Sequence, residues 1–314
     1  LQIFAGILLQ VGISSFRKRS QFFFSALFIF LSYAVTYFGI NIIQEGSFEQ
    51  IRWSLYAWFG GNALLSLMAY PLIFLFEKSF GFLSEVSLLE ISDANNSLLR
   101  ELNEHAPGTF QHSLQVANLA EEAISAIGGN SLLVRAGALY HDIGKMKNPR
   151  YFTENQHGNN PHDDLPYNES ARIIIDHVIN GVELAKKHRL PEEIIDFIRT
   201  HHGTTRPEYF WRMYVKDLGY TPEDDSAFRY PGPLPYSRET AVLMMADGVE
   251  AASRSLKHYD EKSIEGLIDS IFNHLMDANQ FIHANITFKE ITEIKRIFKR
   301  KLMNIYHSRI EYPK

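Results

Sequence analysis

The segment Ala136-Gly137-Ala138-Leu139-Tyr140-His141-Asp142-Ile143-Gly144-Lys145 decides the reading of this chain. An apolar run ends there on an imidazole beside a carboxylate, and Gly and Lys follow at once. Burying a carboxylate without a partner is expensive, so the pair calls for a metal or another cation. A second His-Asp dipeptide, His162-Asp163, follows Pro161 in a polar stretch and carries no such demand. Two other places repeat the first pattern. Asp247 comes directly after Val242-Leu243-Met244-Met245-Ala246, and the adjacent His201-His202 close another apolar helix.

With His112 and His177 these residues form an ordered set: His112, His141-Asp142, His177, His201-His202, Asp247. The 314 residues include no cysteine, which excludes disulfide frameworks and Cys-based zinc sites. Imidazole and carboxylate ligands without sulfur suit manganese or iron in an octahedral site better than a closed tetrahedral zinc. Seven ligands exceed the needs of one ion and suffice for two if a carboxylate bridges. Two ions about 3.5–4 Å apart are a recurrent device for phosphoryl transfer. Lys145, one turn past the pair, reads as a phosphate contact or as an ordinary helix-end lysine, the first favoured by the logic of a phosphate clamp.

The surrounding pattern is helical and the fold class is all-α. Helices are expected over 109–127, 131–142, 168–187, 191–202, 206–217, 237–256, 261–278 and 287–306, with Gly128-Gly129 and Pro191 at helix ends. Two irregular stretches remain, 148–167 and 219–236, and long loops inside a domain are often functional. Tyr151, Phe152, Arg229 and Tyr230 lie in them, as base-stacking groups or as loop anchors. Asn155, Gln156 and His162 are candidates for lining a pocket. Glu250 and Arg254, spaced i,i+4, read as a helix-surface ion pair.

Working outward to the N-terminus, the composition changes sharply. The whole chain is 46% hydrophobic and 21% charged with a net charge of −5, which argues against a binder of DNA or RNA polymers. Residues 22–43 and 54–76 contain no charged side chain, and each is long enough to cross a bilayer core, which takes about 20 helical residues. They are expected to form a transmembrane hairpin, with 1–16 as the end of another span. The chain begins at Leu1 without a basic n-region, which argues against a signal peptide and for further sequence upstream. Arg17-Lys18-Arg19 favours the cytoplasmic side, and the chain returns to that side at Glu77-Lys78. The organisation expected is a partial transmembrane region over 1–78, a connecting amphipathic helix over 79–105 and a cytosolic domain over 106–314. Leu83, Val86, Leu89, Leu98, Leu99 and Leu102 make the connector amphipathic, which suits a plain connector, a signalling helix or the seam of a homodimer.

The order H…HD…H…HH…D resembles the HD-domain metal-dependent phosphohydrolases. The likeness is tightest at Gly108-Thr109-Phe110-Gln111-His112-Ser113, His141-Asp142-Ile143-Gly144-Lys145 and His201-His202-Gly203-Thr204. Together with the apolar spans, these segments resemble the seven-transmembrane HD family, whose characterised members hydrolyse cyclic di-AMP. The resemblance implies a C-terminal helical HD-domain bundle preceded by transmembrane helices, in a multi-pass protein of the bacterial cytoplasmic membrane with its HD domain in the cytosol. It implies two divalent transition-metal ions, one held by His112, His141, Asp142 and Asp247. The other would be held by His177, His201 and His202, with Asp142 shared. Asp142 and Lys145 would be catalytic, and Lys145, Thr204, Arg229 and Tyr230 would contact a cyclic dinucleotide, opened to linear pApA. Cyclic di-GMP is disfavoured, because the related HD-GYP enzymes follow the paired histidine with glutamate and a later Gly-Tyr-Pro, where this chain has Gly203-Thr204-Thr205. Other readings are an HD hydrolase of a (p)ppGpp-like nucleotide and a non-catalytic membrane sensor. All seven ligand types are present, which counts against the sensor.

Overall fold

Apolar residues recur along this chain at helical spacing, and no strand occurs among the described residues. The computed structural model describes residues 21–49, 51–81, 83–156 and 158–307, which divide into two units between Glu90 and Ile91.

In the first unit, α1 (Gln21–Glu45) has its only charge at its last residue. Its 25 residues reach about 37 Å at 1.5 Å per residue, enough for a hydrocarbon core of about 30 Å. Phe24, Leu27, Val35 and Ile43 are exposed on it, which is costly in water and natural in lipid. Among the described residues, only the stretch Phe24–Glu45 is by itself long and apolar enough to cross a membrane. The stretch 54–76, expected as a second span, is formed by two helices in series, α2 (Trp53–Leu67) and α3 (Ala69–Phe80), meeting at Met68. Pro71 explains the break. It lacks the N–H that would bond the Leu67 carbonyl, and its ring collides with that carbonyl. Tyr33 and Phe59 stack at 5.5 Å between α1 and α2, and the Arg52 backbone N–H donates to Tyr37 Oη at 3.1 Å. The span expected at 1–16 and the basic cluster at 17–19 lie outside the described residues.

The connector expected as one helix over 79–105 is broken into α4 (Glu85–Ile91) and α5 (Ser97–His105). Asn96 caps α5 by accepting from the Leu98 N–H, so the polar stretch 92–96 starts a new helix rather than continuing the old one.

The second unit holds α5, α6 (Pro107–Ala126), α7 (Ser131–Tyr140), α8 (Tyr167–Lys187), α9 (Glu192–Thr200), α10 (Glu208–Leu218), α11 (Arg238–Ser253), α12 (Glu261–Asp277) and α13 (Phe288–His307). Its core forms where α6, α7, α9 and α11 meet. Small residues on α6, namely Ala117, Ala120 and Ala123, are fully buried and let α7 approach closely. Val134, Leu139, Ile194, Ile198, Val242 and Leu243 fill the space between, each contributing about 1.5–3 kcal/mol on burial. Helix α7 ends at Tyr140, so His141 is its C-cap and Asp142 opens the 3₁₀ turn Ile143–Lys147.

That turn is pressed onto α8 at a glycine. A Cβ on Gly144 would lie 1.9 Å from the His177 carbonyl oxygen and 2.5 Å from the Gly181 nitrogen. Backbone atoms cannot yield as a side-chain tip does, so Gly144→Ala must push α8 away. Overpacking costs about 1–3 kcal/mol, so this variant should melt about 2–12 °C below the parent, read by circular dichroism. An unchanged melting temperature would disprove the close approach.

Candidate metal centre

The ends or buried faces of five helices deliver the seven side chains to one place. His112 comes from α6, His141 and Asp142 from the end of α7, His177 from α8, His201 and His202 from the end of α9, and Asp247 from α11. All are buried except His202, whose side chain is 26% exposed.

Three of the imidazoles are fixed in the same way. His141 Nδ1 donates to the Ala138 carbonyl at 2.7 Å, His177 Nδ1 to Ile174 at 2.5 Å, and His201 Nδ1 to Ile198 at 2.8 Å. A carbonyl only accepts, so in the neutral rings the proton sits on Nδ1 and the Nε2 lone pair points inward. Those Nε2 atoms converge on Asp142. His141 Nε2 lies 3.1 Å from Oδ2, while His177 and His201 Nε2 lie 3.2 and 3.6 Å from Oδ1. His177 and His201 also face each other, Nε2 to Nε2, at 3.1 Å. His112 Nε2 is 2.9 Å from Asp247 Oδ1, and its Nδ1 donates to Glu250 Oε2 at 2.5 Å.

These contacts do not satisfy the atoms that make them. His141 Nε2 and both Asp142 oxygens are buried without a hydrogen bond of proper geometry, although Lys145 Nζ is 2.7 Å from Oδ2. Inward lone pairs and carboxylate oxygens crowded together repel unless a cation lies among them, so the donor set fits divalent metal. The ligand atoms of His177, His201 and His202 fall within 4.8 Å of one another, as do those of His112, His141 and Asp142. The second ring nitrogens of His112, His141, His177 and His201 bond a carboxylate or carbonyls, the arrangement that orients metal-ligating histidines.

Burial works against every charge here, and the neighbours decide the outcome. It opposes ionisation of Asp142, yet His141 and Lys145 hold that carboxyl well below the usual range. Asp247 is held low likewise by His112 and His141. Burial also opposes a charged His141, but Asp142 and Asp247 outweigh it and push the imidazole up to about 10. His201 has less compensation, and burial pushes it down to about 4.

The other sequence candidates divide. Lys145 is brought to the centre, but as a paired cation, 2.9 Å from Glu154 Oε1 as well as beside Asp142, and 5.0 Å above the Phe152 ring. Tyr230 is buried and stacks on His202 at 4.2 Å. Phe152 packs edge-on against His177 at 5.7 Å. Arg229 contacts Asp225 at 2.6 Å and the Thr204 carbonyl at 3.1 Å, and none of the seven ligands. Asn155 is taken up with Thr109, Gln156 with Asn160, and His162 with the Tyr151 carbonyl, so these three brace the loop.

The Glu250–Arg254 pair exists at 2.7 Å, but Glu250 is 7% exposed and also holds His112, which corrects its reading as a surface residue. The missed signal was its spacing from Asp247, since residues i and i+3 share a helix face. Glu154, which pairs with Lys145 and accepts from Thr109 Oγ1 at 3.1 Å, was also missed. Its polar loop offers no periodicity to single it out.

Comparison with known proteins defines the class. Residues 109–252 match the HD-domain family model, and residues 1–84 match the model described as 7TM receptor with intracellular HD hydrolase. A cyclic-di-AMP phosphodiesterase, PgpH, from Bacillus subtilis is 38% identical over 298 residues, 94% of this chain. The Listeria monocytogenes PgpH is 38% identical over 308 residues, 96% of this chain. This chain spans about two fifths of those relatives, 42% of each. The crystal structure of the Listeria PgpH HD domain in complex with cyclic-di-AMP is 42% identical, with a TM-score of 0.65. That match covers 68% of this chain and 99% of the solved one. The chain belongs to the HD-domain family, and its first 84 residues are similar to the 7TM receptors with an intracellular HD hydrolase.

Two measurements probe the centre. Glu250→Ala removes the acceptor that orients His112, and metal affinity is expected to fall about 10–100-fold, read by manganese titration. Any metal must displace the proton that His141 otherwise keeps at neutral pH. Binding should therefore release protons and weaken as pH falls from 8 to 6, by roughly tenfold per unit for each proton displaced. Calorimetry in buffers of different ionisation enthalpy counts those protons, and a count of zero would contradict this account.

Proposed function

We propose that this chain is the membrane-anchored catalytic part of a two-metal phosphodiesterase that opens cyclic di-AMP to linear pApA. One observation carries the chemistry: Asp142 presents both oxygens, buried and without a proper hydrogen bond, between imidazoles on either side. Its Oδ2 faces His141 and His112, at 3.1 and 3.5 Å, with Asp247 adjacent, and its Oδ1 faces His177 and His201. A carboxylate so placed suits a bridge. His112, His141 and Asp247 would complete one metal position, and His177, His201 and His202 the other. Imidazole–carboxylate sets of this kind accept manganese or iron.

Divalent ions held there would lower the pKa of an attacking water and neutralise charge on the phosphoryl oxygens. Water adds to phosphorus, the bond to the ribose 3′-oxygen breaks, and that oxygen leaves with a proton. Lys145, within 2.7 Å of Asp142, would exchange a carboxylate partner for a phosphate oxygen as charge develops. Tyr230 stacks on His202 and Thr204 follows two residues after that histidine, where the ring would exclude water and the hydroxyl would meet substrate. Arg229 stands half exposed beyond Thr204, where it would meet the outer part of a dinucleotide.

The substrate assignment draws on the two PgpH relatives and on the solved domain bound to cyclic-di-AMP. The apolar α1 and the match over 1–84 support a multi-pass protein of the bacterial cytoplasmic membrane with its HD domain in the cytosol.

The test is to purify the chain in detergent, load it with manganese or iron and offer cyclic di-AMP, cyclic di-GMP and (p)ppGpp. Cyclic di-AMP should be cleaved fastest, with about two ions per chain by elemental analysis. Asp142→Ala should lose both ions and at least a thousandfold of turnover, roughly what the loss of metal activation removes. Preferential cleavage of cyclic di-GMP would sink the substrate, and normal turnover by Asp142→Ala would sink the site.

A further inference from the structure

His202 differs from the other histidines of the centre. The Nδ1 atoms of His141, His177 and His201 are each tied to a backbone carbonyl, and that of His112 to Glu250. His202 has no such tie. Its Nδ1 lies 3.9 Å from Asp247 Oδ2, and its side chain is the most exposed of the set. Its orientation must come from the backbone that carries it and from the Tyr230 ring stacked on it.

That backbone is a tight turn. The Gly203 N–H donates to the Thr200 carbonyl at 2.9 Å, and the Thr205 N–H and Oγ1 donate to the His202 carbonyl at 3.1 and 2.7 Å. The Thr205 carbonyl in turn accepts from the Tyr230 N–H at 2.9 Å, so the turn also sets the stacking ring.

One side chain grips this turn from far along the sequence. Gln280, 1% exposed and just past α12, accepts from the Thr204 N–H at 3.0 Å and donates to Thr204 Oγ1 at 3.1 Å. Its amide also donates to the Ala278 carbonyl at 2.9 Å, so the grip is itself anchored. The fit leaves no slack: Gly203 sits at φ +51°, where a Cβ would lie 2.2 Å from Gln280 Oε1. Gln280 lies outside residues 109–252, the stretch matching the HD-domain model.

We propose that Gln280 is a positioning residue, clamping Thr204 so that the turn holds His202 toward Asp247 and against Tyr230. This rests on reading His202 as a metal ligand. Loss of the clamp frees the turn without touching any other ligand, so it should weaken the metal position that His202 completes and spare the one built on His112.

The test uses the full chain in detergent and follows manganese binding by electron paramagnetic resonance, with melting temperature alongside. Gln280→Met keeps the length and removes all three hydrogen bonds. Gln280→Glu keeps an acceptor for the Thr204 N–H and offers another to its hydroxyl, while losing the donor to the Ala278 carbonyl. His202→Ala is the reference. Gln280→Met should weaken one of two manganese ions by roughly tenfold or more, as losses of outer partners do. Gln280→Glu should restore part of that affinity, and the ion retained by His202→Ala should stay tight. The inference is overturned if Gln280→Met binds both ions as the parent does. It is overturned equally if both ions weaken together with a collapse in melting temperature that Gln280→Glu does not reverse. If His202→Ala itself keeps both ions tight, the ligand reading fails instead, whatever the Gln280 variants show.

Discussion

The centre of the second unit is organised around the buried carboxylate of Asp142. Both its oxygens are buried and neither is properly hydrogen-bonded, a condition a protein interior does not tolerate without a cation. Lys145 supplies part of the balance, and the surrounding Nε2 atoms point the rest of their lone-pair density at the same spot. The outer ring of contacts then makes sense. Carbonyls of Ala138, Ile174 and Ile198 hold protons on Nδ1, so that in their neutral forms, which for His141 means after a metal displaces its second proton, the three rings aim Nε2 lone pairs inward.

Helix ends make this arrangement affordable. Asp142 and His201-His202 lie just where α7 and α9 stop, so the chain can turn and place adjacent side chains on one target. The glycine at 144 then brings the turn after Asp142 into backbone contact with α8 beside His177. Close packing of small residues on α6 against α7 sets the remaining distance, to His112.

Much of this was legible in the sequence, and the failures have physical reasons. The seven ligands stood out because charged or titratable groups interrupt apolar runs, and helix periodicity located α6 to α13. The break at Met68 was missed because apolar composition hides a proline whose effect is on the backbone. The connector read as one helix because Leu98, Leu99 and Leu102 continue its apolar face, while the capping role of Asn96 depends on local geometry. Glu250 looked like a surface group because Arg254 explains it locally, and only the fold reveals that its other oxygen meets His112. Arg229 and Glu154 belong to loops, where partners are chosen by tertiary contacts that no spacing encodes.

The seven ligands come from five helices and span residues 112 to 247, so no short segment can gather them. In an unfolded chain the set does not exist, and the free energy of metal capture is therefore free energy of folding. An ion present at about 100 times its dissociation constant adds about 2.7 kcal/mol to a domain whose whole margin is about 5–15 kcal/mol. Ions held by these side chains would thus slow proteolysis of the bundle as well as supply chemistry. Metal supply and protein lifetime would then be linked.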